Sequence, residues 1–136
     1  DLSDDALALA AENAALVGVE IELAHSDLAE AVAGRAFDVV AANLPYVPDR
    51  DPRTEPGVVR HEPHLALWGG PDGLDLVRRL LPQAAALLPP GGTIVLEVSD
   101  EQAAAARALL EANGFADVAY HRDLRGVDRV VAARRM

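Results

Sequence analysis

Short apolar runs of strand length alternate with longer helical patterns along this 136-residue chain. Residues 37–42 and 93–98 are the clearest runs, and each is the length of a buried strand. Residues 73–88 and 101–113 have the apolar spacing of helices, although Pro82 is expected to kink or split the first of them. Because parallel strands need long crossover connections, this alternation predicts an α/β fold with a mainly parallel sheet.

Both ends of the chain add elements to this prediction. Ser3 is a good N-cap and Gly18 a good C-cap, so a helix is predicted between them. Residues 20–24 alternate polar and apolar side chains, which is typical of a strand. Two strands at 115–121 and 128–134 predict a terminal antiparallel hairpin, whereas residues 47–72, rich in Pro and Gly, predict a long loop.

Composition excludes several classes of partner. The net charge is -10, all 12 basic residues are Arg, and no basic stripe is present, so nucleic acid is not a favoured partner. There is no Cys and therefore no thiolate metal site, and His61 and His64 lie three apart in a loop without a convincing third ligand. No run approaches the roughly 18 apolar residues that span a bilayer, so we expect no metal, no membrane partner and a cytoplasmic location.

The tetrapeptide Asn43-Leu44-Pro45-Tyr46, called the NLPY segment here, directly follows the 37–42 run. Open α/β sheets place their chemistry at the carboxyl ends of strands. Asn43 offers a carbonyl acceptor and an amide donor, Pro45 restricts Leu44 to extended conformations, and Tyr46 adds a flat face. These groups suit a planar NH₂ group. The alternative is a turn-forming Asn43 beside an aromatic at the rim of the loop.

Several other short stretches, together with the NLPY segment, carry a family resemblance. They are Asp1-Leu2-Ser3, Ser26-Asp27-Leu28, Glu62-Pro63, Asp72-Gly73-Leu74 and Asp128-Arg129-Val130-Val131. With these stretches the chain resembles the C-terminal part of the catalytic domain of class I S-adenosylmethionine-dependent methyltransferases, in particular the release-factor glutamine N5-methyltransferases. The tetrapeptide alone is less specific, because amino methyltransferases that act on adenine use a similar one.

This resemblance implies a Rossmann-like methyltransferase sheet with S-adenosylmethionine as cofactor and a peptide chain release factor as protein substrate. The implied catalytic residues are Asn43, Leu44, Pro45 and Tyr46, in which the Asn43 side chain and the Leu44 carbonyl accept the two N–H groups of a substrate glutamine amide. The implied cofactor-binding residues are Asp1 and Leu2 near the ribose, Asp27 and Leu28 near the adenine, and Asn43. Helix capping is the alternative role for Asp1 and Asp27.

The sequence departs from the family pattern in two places. Leu44 replaces the first Pro of the signature, which removes a restraint on φ but keeps the backbone carbonyl. The first strands and the Gly-rich loop that cradles the methionine part of the cofactor are absent from this chain. We therefore expect residues 1–136 to be a partial catalytic domain from a longer protein. Two alternatives stay open, namely amino methylation of adenine in DNA or RNA and a non-catalytic, truncated module.

Overall fold

The computed structural model describes the backbone of residues 1–136 and the side chains of all of them except Pro56. The chain divides into two compact units, Asp1–Arg35 and Ala36–Met136. The helices are α1 (Asp4–Val17), α2 (Pro56–His61), α3 (His64–Leu67), α4 (Asp75–Leu87) and α5 (Ala103–Ala112). The strands are β1 (Val39–Ala42), β2 (Thr93–Glu97), β3 (Phe115–Arg122) and β4 (Asp128–Arg135), and single 3₁₀ turns lie at Glu30–Val32 and Asp100–Gln102.

The first unit is built around α1, whose predicted caps are confirmed. The Ser3 hydroxyl accepts a hydrogen bond from the Ala6 N–H at 3.1 Å, and Gly18 ends the helix in the left-handed conformation with φ of 72°. The structure describes every residue of α1, and none of them is buried. Leu16, for example, is 84% exposed.

The strand predicted at residues 20–24 is wrong. This segment is not part of any sheet among the described residues, and its backbone contacts are with the start of the chain, where the Asp1 nitrogen donates to the Ala24 carbonyl at 3.0 Å. A strand needs a neighbour that satisfies its N–H and C=O groups. An alternating sequence sets the direction of side chains but does not reveal whether such a neighbour is present.

The second unit contains a four-stranded sheet in the order β1-β2-β4-β3. β1 and β2 are parallel, with Ala42 opposite Leu96, whereas β4 pairs antiparallel with both β2 and β3. The α/β class and the terminal hairpin are confirmed, but the sheet is mixed, and only the β1–β2 pair is parallel among its three strand pairs. A mainly parallel sheet was predicted because residues 20–24 were counted as one of its strands. β1 lies at the sheet edge and its residues are exposed or half-buried, so the burial predicted for it is not seen here.

The core lies between the sheet and the two long helices of this unit. Its buried apolar side chains include Val77, Leu80, Leu81, Ala84, Leu87, Ile94, Leu96, Ala106, Leu110, Phe115 and Val131. α5 packs on β3 and β4 and also contacts α4. α4 runs without interruption through the exposed Pro82, so the expected split into two pieces does not occur. Five buried side chains on this helix hold it in place across the proline.

Residues 47–72 form a closed excursion rather than an unstructured loop. The segment contains α2 and α3, which the sequence did not predict. Its base is closed where Val47 bridges Trp68 in parallel, with the Val47 N–H donating to the Leu67 carbonyl at 3.0 Å and the Gly69 N–H donating to the Val47 carbonyl at 2.9 Å. The excursion therefore begins and ends beside the NLPY segment.

No helix in the described part of the chain combines the length and the apolar character needed to cross a lipid bilayer.

Candidate active site at the carboxyl end of β1

The NLPY segment begins at the residue after β1, as predicted from the sequence. Since Ala42 lies opposite Leu96 in the parallel β1–β2 ladder, Asn43 follows at the level of Glu97. The carboxyl ends of both strands therefore meet at one edge of the sheet. The carboxamide of Asn43, directly after β1, and the carboxylate of Glu97, the last residue of β2, are the polar side chains at this edge of the two strands.

Two oxygen acceptors in this segment have no hydrogen-bond partner in the described part of the chain. Asn43 is exposed, and among the described residues its side chain has no hydrogen-bond partner. Likewise, no described residue donates a hydrogen bond to the Leu44 carbonyl. The side chain of a turn-forming Asn hydrogen-bonds to neighbouring backbone groups, and no such bond to Asn43 is present among the described residues. The two acceptors predicted for a substrate amide are therefore unpaired among the described residues, on an exposed Asn43 and a half-buried Leu44.

Tyr46 is held at both its side chain and its backbone. Its hydroxyl donates to Glu97 Oε1 at 3.3 Å, and its carbonyl accepts from Gln102 Nε2 at 2.8 Å. Burial raises the pKa of the Tyr46 phenol, and the negative charge of Glu97 acts in the same direction. The hydroxyl therefore remains a donor at neutral pH, and its hydrogen bond fixes the ring.

Two glycines allow the returning chain to pass directly against the NLPY backbone. A Cβ atom at Gly69 would overlap the Pro45 carbonyl oxygen, and a Cβ atom at Gly73 would overlap the Tyr46 carbonyl oxygen. Gly73 also has φ of 75°, which disfavours other residues. The second half of the NLPY segment is therefore packed as well as hydrogen-bonded.

A cleft of about 510 Å³ lies beside Tyr46, between the 47–72 excursion and the residues that follow β2. Arg53 crosses this region, pairing with Asp51 and with Glu101 at 2.7 Å each. Hydrogen bonds from Arg53 lower the pKa values of both carboxyl groups. Ionised at neutral pH, these groups and Arg53 link the excursion to the 3₁₀ turn after β2.

The predicted cofactor-binding residues Asp1, Leu2, Asp27 and Leu28 all lie in the first unit. The Asp1 carbonyl accepts from the Ser26 N–H at 2.9 Å, which brings the two predicted stretches together. The Asp1 carboxylate also accepts from the Ser3 N–H at 2.8 Å, a local bond that lies just before α1, whose N-cap is Ser3 itself. The cofactor roles of these four residues stay predictions.

Leu28 has an unusual backbone conformation. Its φ is 53°, in the left-handed region that residues with large side chains rarely adopt. Such strain is found preferentially at binding and catalytic sites, where surrounding structure maintains it. The Leu28 side chain is half-buried and follows Asp27 directly.

Sequence reasoning missed Glu97 and Gln102. Glu97 is the one charged residue of β2 and stands at the end of an otherwise apolar run, which is the signal that could have found it. Ser99 and Gln102 form a capping box at the 3₁₀ turn, and the spacing Ser-x-x-Gln could have located the turn. In the described part of the chain no group of three or more His, Cys, Asp or Glu side chains could hold a metal ion.

Comparison with known proteins identifies relatives over nearly the whole chain. It is 42% identical over 135 residues to a release factor glutamine methyltransferase from Deinococcus radiodurans, covering 99% of this chain and 48% of that protein. A protein of the same name from Cereibacter sphaeroides is 47% identical over 137 residues, covering 98% of this chain and 49% of that protein. The chain thus spans about half the length of the curated relatives it matches. No family model matches.

Solved structures support the fold. A methyltransferase from Pyrococcus furiosus superposes with a TM-score of 0.71 at 16% identity, covering 98% of this chain and 59% of that one. The ribosomal protein L11 methylase from Lactobacillus delbrueckii superposes with a TM-score of 0.66 at 21% identity, covering 100% of this chain and 56% of that one. At these identities the likeness concerns the fold alone. The resemblance and the Rossmann-like α/β class predicted from the sequence are both confirmed.

Proposed function

We propose that this chain, which is homologous to about half the length of the release factor glutamine methyltransferases, is part of an enzyme that methylates a protein glutamine on its side-chain nitrogen. One observation carries the proposal. The exposed Asn43 carboxamide and the Leu44 carbonyl have no partner among the described residues, yet they belong to a segment whose second half is held by Glu97 and Gln102. These are two positioned acceptors for the two N–H groups of a primary amide.

The Asn43 and Leu44 oxygens serve this reaction by orienting the amide. A glutamine nitrogen is a weak nucleophile because its lone pair is delocalised into the carbonyl group. Acceptors on both N–H bonds fix the nitrogen in direction and favour electron density on it as the new bond forms. Tyr46 packs beside the amide plane. No general base is needed before attack, since the methylated nitrogen can lose its proton afterwards.

The cofactor of this proposal is S-adenosylmethionine, which when bound supplies the activated methyl group. The chemistry of the assigned residues suits it in part: the Asp1 and Asp27 carboxylates can accept hydrogen bonds from ribose hydroxyls and from the adenine amino group, Leu2 and Leu28 are the apolar residues that follow these acids in sequence, and Asn43 carries a carboxamide. A Gly-rich loop for the methionine part is not among these residues. We accordingly propose that residues 1–136 are part of a larger catalytic domain, that the enzyme acts in the cytoplasm, and that its partner is a peptide chain release factor.

Methyl transfer from labelled S-adenosylmethionine tests the proposal, with the natural protein that contains this chain as enzyme. The acceptors are a Gly-Gly-Gln peptide, a matched Gly-Gly-Asn peptide that is one methylene shorter, and nucleic acid. We expect label on the glutamine side-chain nitrogen, located by mass spectrometry, and at least tenfold less on the asparagine peptide. Label found only in nucleic acid would overturn the proposal in favour of adenine methylation. Absence of both label and cofactor binding by calorimetry would favour a non-catalytic module.

A further inference from the structure

We propose that Gln102 is a positioning residue that holds the NLPY segment in its working conformation. Only 6% of Gln102 is exposed, and its amide makes three hydrogen bonds to backbone. Nε2 donates to the Tyr46 carbonyl at 2.8 Å and to the Asp72 carbonyl at 2.9 Å. Oε1 accepts from the Ser99 N–H at 3.1 Å. The side chain therefore uses both its donors and its acceptor on groups of the protein.

These three bonds join parts of the chain that are far apart in sequence. Tyr46 ends the NLPY segment, Asp72 lies at the end of the 47–72 excursion, and Ser99 precedes the 3₁₀ turn after β2. A primary amide can make this set of bonds, whereas an ionised Glu of the same size offers no donor. Gly73 completes the arrangement, because a Cβ atom there would overlap both Gln102 Nε2 and the Tyr46 carbonyl oxygen.

Gln102 acts on the acceptors through the backbone. No described residue makes a hydrogen bond to the Asn43 side chain or to the Leu44 carbonyl, so the backbone on either side sets their orientation, with β1 before them and Pro45 and Tyr46 after them. Pro45 restricts the backbone between Leu44 and Tyr46. Fixing the Tyr46 carbonyl thus limits the orientations available to the two free acceptors, which is the preorganisation that an amide-binding site requires. The claim that the positioned groups bind substrate rests on the proposed function. The claim that Gln102 holds the NLPY segment does not.

The test compares Gln102→Glu with Asn113→Asp in the natural protein that contains this chain. Asn113 is a matched control because its side-chain amide donates to the Leu109 carbonyl at 2.8 Å at the end of α5, outside the NLPY site. Hydrogen exchange at the Val47 N–H, which bonds to the Leu67 carbonyl, reports on the segment without requiring methyl transfer. We expect Gln102→Glu, but not Asn113→Asp, to speed this exchange at least tenfold.

Kinetics supply the second measurement. Gln102→Glu should lower kcat on the Gly-Gly-Gln peptide by about 10- to 100-fold with little change in the KM for S-adenosylmethionine. Activity should recover in part at lower pH, because a protonated carboxyl can again donate one hydrogen bond to backbone. Because protonation would also relieve a loss of folding stability, urea denaturation of the same variant is measured at each pH: a positioning role predicts that kcat is lost while the protein stays folded. If Gln102→Glu does not fold, Gln102→Ala provides the same exchange comparison.

The inference is overturned if the Gln102 variants keep wild-type exchange at Val47, or if their kcat matches that of Asn113→Asp at every pH. Failure of the proposed function is a different result. In that case the wild-type protein does not methylate the Gly-Gly-Gln peptide, while exchange at Val47 still decides whether Gln102 holds the segment.

Discussion

The two halves of the NLPY segment differ in how the protein uses them. In the first half, the Asn43 side chain and the Leu44 carbonyl have no hydrogen-bond partner among the described residues. In the second half, Gly69 packs against the Pro45 carbonyl, and Tyr46 is bonded at both its hydroxyl and its carbonyl. The unpartnered groups are those that our proposal assigns to substrate, and the held groups are those that orient them.

This contrast teaches which substitutions should separate activity from stability. Removing a group that has no partner in the protein should change the stability of the fold little. The same removal weakens binding of any ligand that forms a hydrogen bond with that group. Groups that are packed and bonded contribute to both. Three substitutions test this division, and a fourth tests the neighbouring ion pair between Asp72 and Arg78.

Asn43→Ala should lower kcat on the Gly-Gly-Gln peptide about 10²- to 10³-fold, the loss typical of removing one aligned polar group from an active site. Because Asn43 is exposed and without a described partner, the free energy of unfolding should change by less than about 0.5 kcal/mol. Steady-state methylation and urea denaturation of the natural protein measure the two quantities. If Asn43→Ala lowered the free energy of unfolding by as much as it raised the activation free energy, Asn43 would belong with the groups that stabilise the fold.

Gly73→Ala should destabilise the fold by about 2 to 4 kcal/mol, since it combines the cost of a positive φ with an overlap on the Tyr46 carbonyl. Gly126→Ala is the matched control: Gly126 has φ of 79° but nothing within 4 Å of a new Cβ atom. That variant should lose only about 1 kcal/mol. Equal losses in urea denaturation would mean that close packing on the NLPY backbone contributes nothing.

Asp72→Asn should show a pH-dependent effect. Arg78 lowers the Asp72 pKa from 3.8 to about 2, so the ion pair stabilises the fold above the unfolded-state pKa and is lost as pH falls through the folded-state value. Because Asp72 is half exposed, the substitution should cost about 1 kcal/mol at neutral pH, and the difference should vanish near the lower pKa. Urea denaturation across this range measures it. A difference that stays constant with pH would contradict the assignment.

Tyr46→Phe should have the smallest effect. It removes the 3.3 Å hydrogen bond to Glu97 but leaves the Tyr46 carbonyl bonded to Gln102. We expect a loss of about 0.5 kcal/mol in stability and less than about threefold in kcat. Glu97→Gln, which keeps an acceptor, should change less. If Tyr46→Phe instead reduced kcat as much as Asn43→Ala, the hydroxyl would belong to the half that acts on substrate.

Local signals in the sequence predicted the elements that depend on neighbours along the chain. Ser3 and Gly18 cap α1 because capping needs only nearby backbone groups. The hairpin of β3 and β4 follows from two strand patterns around a short turn. The position of Asn43 follows from the end of an apolar run. For this part of the site, composition and spacing were sufficient.

Features that depend on distant partners could not be predicted in this way. Residues 20–24 have a strand pattern but no strand beside them among the described residues, and pairing cannot be read from one segment. Gln102 contacts Tyr46 across 56 positions of sequence, and nothing local specifies that contact. The Ser99-x-x-Gln102 spacing predicts a helix start, but it does not predict that Gln102 Nε2 also donates to the Tyr46 and Asp72 carbonyls.

A structure of the natural protein with a bound Gly-Gly-Gln peptide would show whether Asn43 and Leu44 hold the substrate amide. We expect Asn43 Oδ1 and the Leu44 carbonyl oxygen both to lie within about 3.2 Å of the glutamine side-chain nitrogen. A glutamine side chain bound elsewhere, or an Asn43 amide bonded to protein groups while the peptide is in place, would contradict it.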